Sequence, residues 1–316
     1  MELCNTATII PRMTGIFTDF LFFFLSFSLS GKNCKLFKSS SLPFFMMIVK
    51  VPAVNALGRP HGCEEGCFKV LECLKKEIYS SEKGKKVEYQ KLDLEHIHVD
   101  NGNVQEAQEL ILRNARKSFE SQDKVFFLGG DHSLSYPCVK GFFEAYPEGR
   151  LIVFDAHPDC MPAMKEPTHE EWLRKIVEEF GGERVLIAGV RNADSEEWRF
   201  LEEQGIKFVG MNQLLNDLEV TTDFIMEFAH GCEVYASLDI DVVDPAFAPG
   251  TGYQEPGGLS AREILYIVQR IAMMKNLRGV DLVEINPSLD GGEEVDGVEH
   301  YGRTVKLGAR ILAEML

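Results

Sequence analysis

Leu151-Ile-Val-Phe-Asp-Ala-His-Pro-Asp159 decides how this chain is read. A short apolar run, the right length for a buried strand, leads straight into two carboxylates and an imidazole at alternate positions. In extended backbone, residues two apart point to the same side, so Asp155, His157 and Asp159 can converge. An exposed strand also carries polar residues at alternate positions. These follow an apolar strand, where a solvated face is not expected.

Short β-branched runs alternate with amphipathic stretches from residue 47 onward. Candidate strands are Ile48–Val54, Lys124–Leu128, Leu151–Phe154, Arg184–Ala188, Lys207–Val209, Glu233–Leu238 and Gly279–Ile285. Candidate helices fill the gaps and include Glu65–Tyr79, Val104–Ser121, Glu170–Phe180, Ser195–Gln204, Ala261–Met274 and Thr304–Met315. This is the pattern of βα units feeding a parallel sheet. No repeat, low-complexity tract or Pro/Ser-rich linker follows residue 47, so one α/β domain over residues 47–316 is expected.

In open α/β sheets, ligands collect beyond the carboxyl ends of the strands. Two further strands end in polar residues, Gly129-Gly130-Asp131-His132 and Asp239-Ile240-Asp241, and a fourth ends near Glu284. Taken singly, Asp-x-Asp is a weak signal and Gly-Gly most often marks a tight turn. Together His132, Asp155, His157, Asp159, Asp239 and Asp241 supply four carboxylates and two imidazoles. Left unpaired, four clustered carboxylates repel, and several must take up protons. Two divalent cations would cancel their charge, and bridging carboxylates let six side chains serve two ions at ~3.5–4 Å separation. An oxygen-rich, thiolate-free set favours Mn(II) over Zn(II).

The chain has 316 residues, with 33 Lys or Arg against 49 Asp or Glu, and a formal charge of −16. That balance excludes a phosphate-backbone binder, which concentrates positive charge. With 45% hydrophobic and 26% charged residues, the composition is that of an ordinary globular protein. Residues 1–46 differ from the rest: they carry +2, leaving −18 for the remainder, and hold nine of the 22 Phe. The apolar stretch Ile16–Leu29 is broken by Asp19, Ser26 and Ser28 and falls short of the ~18 residues a spanning helix needs. Asp19 and the single preceding Arg12 fit a signal peptide poorly. We therefore expect an N-terminal extension over residues 1–46, no stable membrane insertion, and a cytoplasmic protein. The alternative is secretion, with residues 1–30 acting as a signal peptide. The eight scattered cysteines imply no disulfide framework. Cys63 and Cys67 lack the further ligands a zinc ribbon needs.

Three segments carry a family resemblance. Phe127-Leu-Gly-Gly-Asp-His-Ser133, Phe154-Asp-Ala-His-Pro-Asp159 and Ser237-Leu-Asp-Ile-Asp-Val-Val-Asp-Pro-Ala-Phe-Ala-Pro-Gly250, with Gly258 following, resemble the metal motifs of the ureohydrolases, the family of arginase and agmatinase. Gly62-Cys-Glu-Glu-Gly66 resembles its early glycine loop, so the likeness runs from about residue 48 to the C-terminus. The resemblance implies a three-layer α/β/α fold around a mainly parallel sheet, and two Mn(II) ions per chain. By it, one ion takes His132, Asp155, Asp159 and Asp239, and the other takes His157, Asp155, Asp239 and Asp241, with Asp155 and Asp239 bridging. It also implies a homo-oligomer, a trimer or a hexamer.

A guanidinium carbon is a poor electrophile, so its hydrolysis needs a strong nucleophile and a proton for the leaving amine. Two metal ions acidify a water held between them, and the free oxygen of Asp159 is placed to orient it. Glu284, in Val283-Glu-Ile-Asn-Pro287, matches the family's guanidinium-binding glutamate. His169, ten residues beyond Asp159, is the candidate proton shuttle. In the competing reading, Thr168 caps a helix starting at His169 and leaves the imidazole in solvent. His96, His98, His230 and His300 lack partners at ligand spacing.

The loop Cys160-Met-Pro-Ala-Met-Lys-Glu-Pro-Thr168 has none of the Ser and Asn with which arginases usually hold the amino-acid end of their substrate. The expected reaction is therefore agmatine to putrescine and urea, on a small cationic guanidino substrate. Arginase, or a formimidoylglutamase or guanidino-acid hydrolase in which Lys165 or Arg191 holds a carboxylate, is the alternative. A zinc-dependent deacetylase is more distant, since a one-metal site would leave His132, Asp159 and Asp241 without work. A binding protein on the same scaffold is the non-enzymatic rival.

Overall fold

A computed structural model describes residues 46–56, 61–163, 165–295 and 298–316. Of the expected extension over residues 1–46, all but Met46 lies outside the described residues. In chain order the strands are β1 (Met47–Val51), β2 (Asp93–His96), β3 (Val125–Gly129), β4 (Arg150–Phe154), β5 (Val185–Ala188), β6 (Lys207–Val209), β7 (Val234–Asp239), β8 (Leu277–Val283), β9 (Glu293–Val295) and β10 (Val298–His300). The helices are α1 (Gly66–Glu77), α2 (Val104–Ser121), α3 (Ser135–Ala145), α4 (Trp172–Phe180), α5 (Ser195–Glu203), α6 (Met211–Asn216), α7 (Leu218–Phe228), α8 (Ala261–Ala272) and α9 (Arg303–Met315).

Eight strands form one parallel sheet in the order β2-β1-β3-β8-β7-β4-β5-β6, while β9 and β10 pair antiparallel on their own. Strand alternation builds the layers. Ile48, Phe126, Leu128, Ile152 and Phe154 face one core with α1, α6, α7, α8 and α9. Val49, Val125, Phe127, Leu151 and Val153 face the other core with α2, α3, α4 and α5. Both faces are covered, which is why the central strands read as unbroken apolar runs. The result is the three-layer α/β/α arrangement.

Two expected strand ends are corrected by backbone chemistry. β1 stops at Val51 instead of Val54, because Pro52 has no N–H for the ladder. β8 ends at Val283 instead of Ile285, because Glu284 turns left-handed (φ 62°). No described helix is long and apolar enough to cross a membrane.

Four strands that are neighbours in the sheet, β3, β8, β7 and β4, run out at the same edge into His132, Glu284, Asp239 with Asp241, and Asp155 with His157 and Asp159. The glycines before His132 let the loops close up there. A Cβ on Gly130 would stand 2.1 Å from the Ala53 carbonyl oxygen.

Candidate metal centre

Each carboxylate at this edge has an oxygen tied down by an N–H donor. Asp155 Oδ1 accepts from the His157 backbone N–H (2.6 Å), and Asp239 Oδ1 accepts from that of Asp241 (2.7 Å). Asp241 Oδ1 accepts from the Ala156 backbone N–H (3.0 Å). Asp159, itself left-handed (φ 51°), accepts at Oδ2 from the Trp172 indole (2.8 Å). Short loops held in these turns fix the carboxylates before any ligand arrives.

The six side chains fall into two groups. Around His132 Nδ1 stand Asp155 Oδ2 (3.0 Å), Asp159 Oδ2 (3.0 Å) and Asp239 Oδ2 (3.1 Å). Around His157 Nδ1 stand Asp241 Oδ2 (2.9 Å) and Asp155 Oδ1 (3.6 Å). Asp155 belongs to both groups through its two oxygens, and Asp239 turns Oδ2 to the His132 group while its Oδ1 accepts from the Asp241 N–H.

His132 Nδ1 and Asp155 Oδ2 are buried without a hydrogen-bond partner, although they lie 3.0 Å apart. A nitrogen lone pair facing three carboxylate oxygens is unfavourable alone and is the donor set of a hard or borderline divalent cation. The charge balance says the same. Burial and the neighbouring carboxylates push Asp159 up to about 7 and raise Asp239 and Asp241. Burial opposes protonation of His132, yet the three aspartates raise its pKa well above the ordinary value. Four carboxylates and two imidazoles packed this closely call for added positive charge, and the residues present fit two cations.

Glu284 is buried beside this cluster. Its Oε1 accepts from the His132 backbone N–H (2.9 Å) and faces His169 Nδ1 (3.4 Å), while its Oε2 takes the Cys63 thiol (3.5 Å). His169 is only 5% exposed. The helix after it starts at Trp172, and Thr168 Oγ1 accepts from the Glu170 backbone N–H instead of starting a helix. The solvent-facing reading of His169 is therefore corrected. Burial alone would lower the imidazole, but the Glu284 carboxylate, with Asp131 and Asp159 behind it, raises it to about 9.

A cavity of about 270 Å³ opens onto these groups, lined by His132, His157, Asp159, His169, Asp239, Asp241 and Glu284 together with Met161, Glu170, Asn192, Ala193, Asp194, Glu197, Thr251 and Tyr253. Neither basic residue considered for a substrate carboxylate is among them. Arg191 spends its guanidinium on backbone carbonyls, including Asp241 O (2.7 Å) and Glu255 O (2.6 Å). Lys165 is exposed and pairs with Glu166 (2.8 Å). None of the described cysteines is in a disulfide, and among the described residues none is a candidate metal ligand.

Sequence reasoning missed four contributors. Trp172 orients Asp159, Cys63 touches Glu284, and Tyr253 stands over His169 with ring centres 5.5 Å apart. None of these differs in sequence from an ordinary apolar, free-thiol or loop residue. Asp281 did leave a signal, as a charge inside an apolar central strand.

A parallel sheet whose central strands end in two imidazoles and four convergent carboxylates defines a class, the hydrolases built around a paired-cation centre. This chain belongs to the arginase family, whose model matches residues 46–316. It is 33% identical over 218 residues to the agmatinase of Bacillus subtilis (strain 168), covering 68% of this chain and 70% of that one. Among solved structures it is similar to proclavaminate amidino hydrolase from Streptomyces clavuligerus (TM-score 0.74, 24% identity, 86% of this chain and 90% of that one). It is also similar to formimidoylglutamase from Bacillus subtilis (TM-score 0.75, 21% identity, 88% of each chain). At that identity the two structures show the fold. The chain is a hydrolase of amidino or guanidino C–N bonds.

Proposed function

We propose that this hydrolase converts agmatine and water to putrescine and urea. The observation that carries the choice is the cavity lining: no described lining residue is Lys or Arg, and Glu170, Asp194 and Glu197 add their carboxylates to those of Asp159, Asp239, Asp241 and Glu284. A carboxylate at the far end of a substrate would find no Lys or Arg to pair with there, whereas agmatine offers these carboxylates a cation at both ends. The agmatinase relative supports the same substrate.

Glu284 binds the guanidinium, held in place by the His132 N–H and the Cys63 thiol. Asp159, oriented by Trp172, is placed to direct the attacking water at the guanidinium carbon. His169, whose proton is stabilised by Glu284, delivers that proton to the amine that leaves as putrescine. His132, Asp155, His157, Asp159, Asp239 and Asp241 would hold the cations, which we take to be two Mn(II) because the donors are oxygen and imidazole. When bound, they supply Lewis-acid activation of water.

The same reading takes residues 47–316 as a catalytic domain of a cytoplasmic homo-oligomer, trimer or hexamer, preceded by an extension whose true start the intact native mass would locate. The test of substrate is a panel of arginine, agmatine, guanidinobutyrate and formimino-glutamate with added Mn(II). Agmatine should give the highest kcat/KM. A clear preference for any carboxylate-bearing member would overturn the proposal.

A further inference from the structure

Asp281 sits mid-strand in β8 with no accessible surface, and no step above uses it. Three hydroxyls end on it. Ser135 Oγ and Tyr235 OH each lie 2.8 Å from Oδ2, and Ser237 Oγ lies 2.7 Å from Oδ1. A hydroxyl has one proton to give. With that proton on Asp281, Ser237 Oγ can only accept from its other neighbour, His132 Nε2, 2.9 Å away. Nε2 must then carry a hydrogen, which leaves the Nδ1 lone pair for the space bounded by Asp155, Asp159 and Asp239.

We propose that Ser237 and Asp281 are positioning residues that hold His132 as an Nδ1 ligand, so that the affinity of one cation site depends on a carboxylate two hydrogen bonds away. The inference rests on the paired-cation reading. The buried charge of Asp281 acts in the same direction as the hydrogen bond, since an anion behind the imidazole strengthens it as a donor to a cation. Ser135 and Tyr235 have a separate task. They occupy Oδ2, so Asp281 presents Oδ1 to Ser237 in one orientation. His157 Nε2 instead faces Glu255 Oε1 at 3.6 Å, beyond hydrogen-bond distance.

The test is a Mn(II) titration of metal-free protein, followed by the electron paramagnetic resonance of the free ion, with a thermal melt of each metal-free variant. Wild type should take up two ions per chain. Ser237→Ala and Asp281→Asn should each weaken one of the two about 10–100-fold and leave the other unchanged. Ser237→Thr, which keeps the hydroxyl, should restore wild-type affinity. A purely structural role would lower the metal-free melting temperature without separating the two sites. Two ions at wild-type affinity in Ser237→Ala would overturn the relay and spare the paired-cation reading. Unchanged affinity in Asp281→Asn alone would remove Asp281 from it. A wild-type protein that takes up no Mn(II) would overturn both.

Discussion

At the scale of single residues, His169 is where geometry and chemistry meet most closely. Its Nδ1 faces Glu284 Oε1 at 3.4 Å, and the ring is buried in the cavity wall. Replacing it with Phe should lower kcat about 10²–10⁴-fold, the usual worth of a placed proton donor, while Mn(II) uptake stays at wild-type level. Unchanged turnover would remove His169 from the reaction. The pKa shift has a stability consequence in the metal-free, substrate-free protein. The folded value of about 9 lies above the ordinary 6.5, so the imidazolium stabilises the fold fully below pH 6.5 and ceases to do so as pH rises through 9. The stability difference between wild type and His169→Phe should therefore shrink by on the order of 1–3 kcal/mol between pH 6 and pH 10. Denaturant unfolding at the two pH values measures it, and a difference that grows with pH would contradict the assigned contact. All six proposed ligands, and Glu284, were legible from residue type and position after a strand. Trp172 and Cys63 were not, because an apolar residue opening a helix and a lone thiol 221 residues from Glu284 carry no sign in sequence of the carboxylate each one touches.

At the scale of elements, close approach between loops is what aligns the four strand ends. Gly130 donates its N–H to Val51 O and accepts at its carbonyl from Glu284 N–H, tying β1, β3 and β8 together just beyond their ends. Ala at this position would drive its Cβ into the Ala53 carbonyl, backbone that cannot swing away. Gly130→Ala should cost about 1–3 kcal/mol in unfolding free energy and raise the KM for the guanidino substrate, since Glu284 shifts with it. Wild-type stability and KM together would show that the loop has slack. The central strands β3, β4, β7 and β8 could be read from sequence because both of their faces are buried. The edge strand β2 could not, since Asp93-Leu-Glu-His96 has no apolar run. Helix α3 was obscured by Pro137 and Gly141, both poor helix formers. The structure explains both: Pro137 falls in the first turn, where its missing N–H has no helical partner to lose, and Gly141 allows α3 to approach Ala115 of α2. Helices α6 and α7 are separated by Asp217 alone, which caps α7 through Val220 N–H, so no loop-length signal divided them.

At the scale of the whole molecule, the charge of −16 first served to exclude a nucleic-acid partner. Part of that excess now has a location, for Asp155, Asp159, Asp239 and Asp241 lie at the ends of two neighbouring strands, β4 and β7. Their concentration in a buried corner at the base of a cavity costs folding free energy unless cations or protons neutralise it. Cation loading should therefore stabilise the protein as well as activate it, by about 2.7 kcal/mol for each site filled at a hundred times its dissociation constant. The most direct test of the paired-cation centre is elemental analysis of protein loaded with Mn(II) and freed of excess metal. Two manganese ions per chain, falling to fewer in His132→Ala and in His157→Ala, is the result the structure predicts. One ion per chain in wild type, zinc above all, would contradict it.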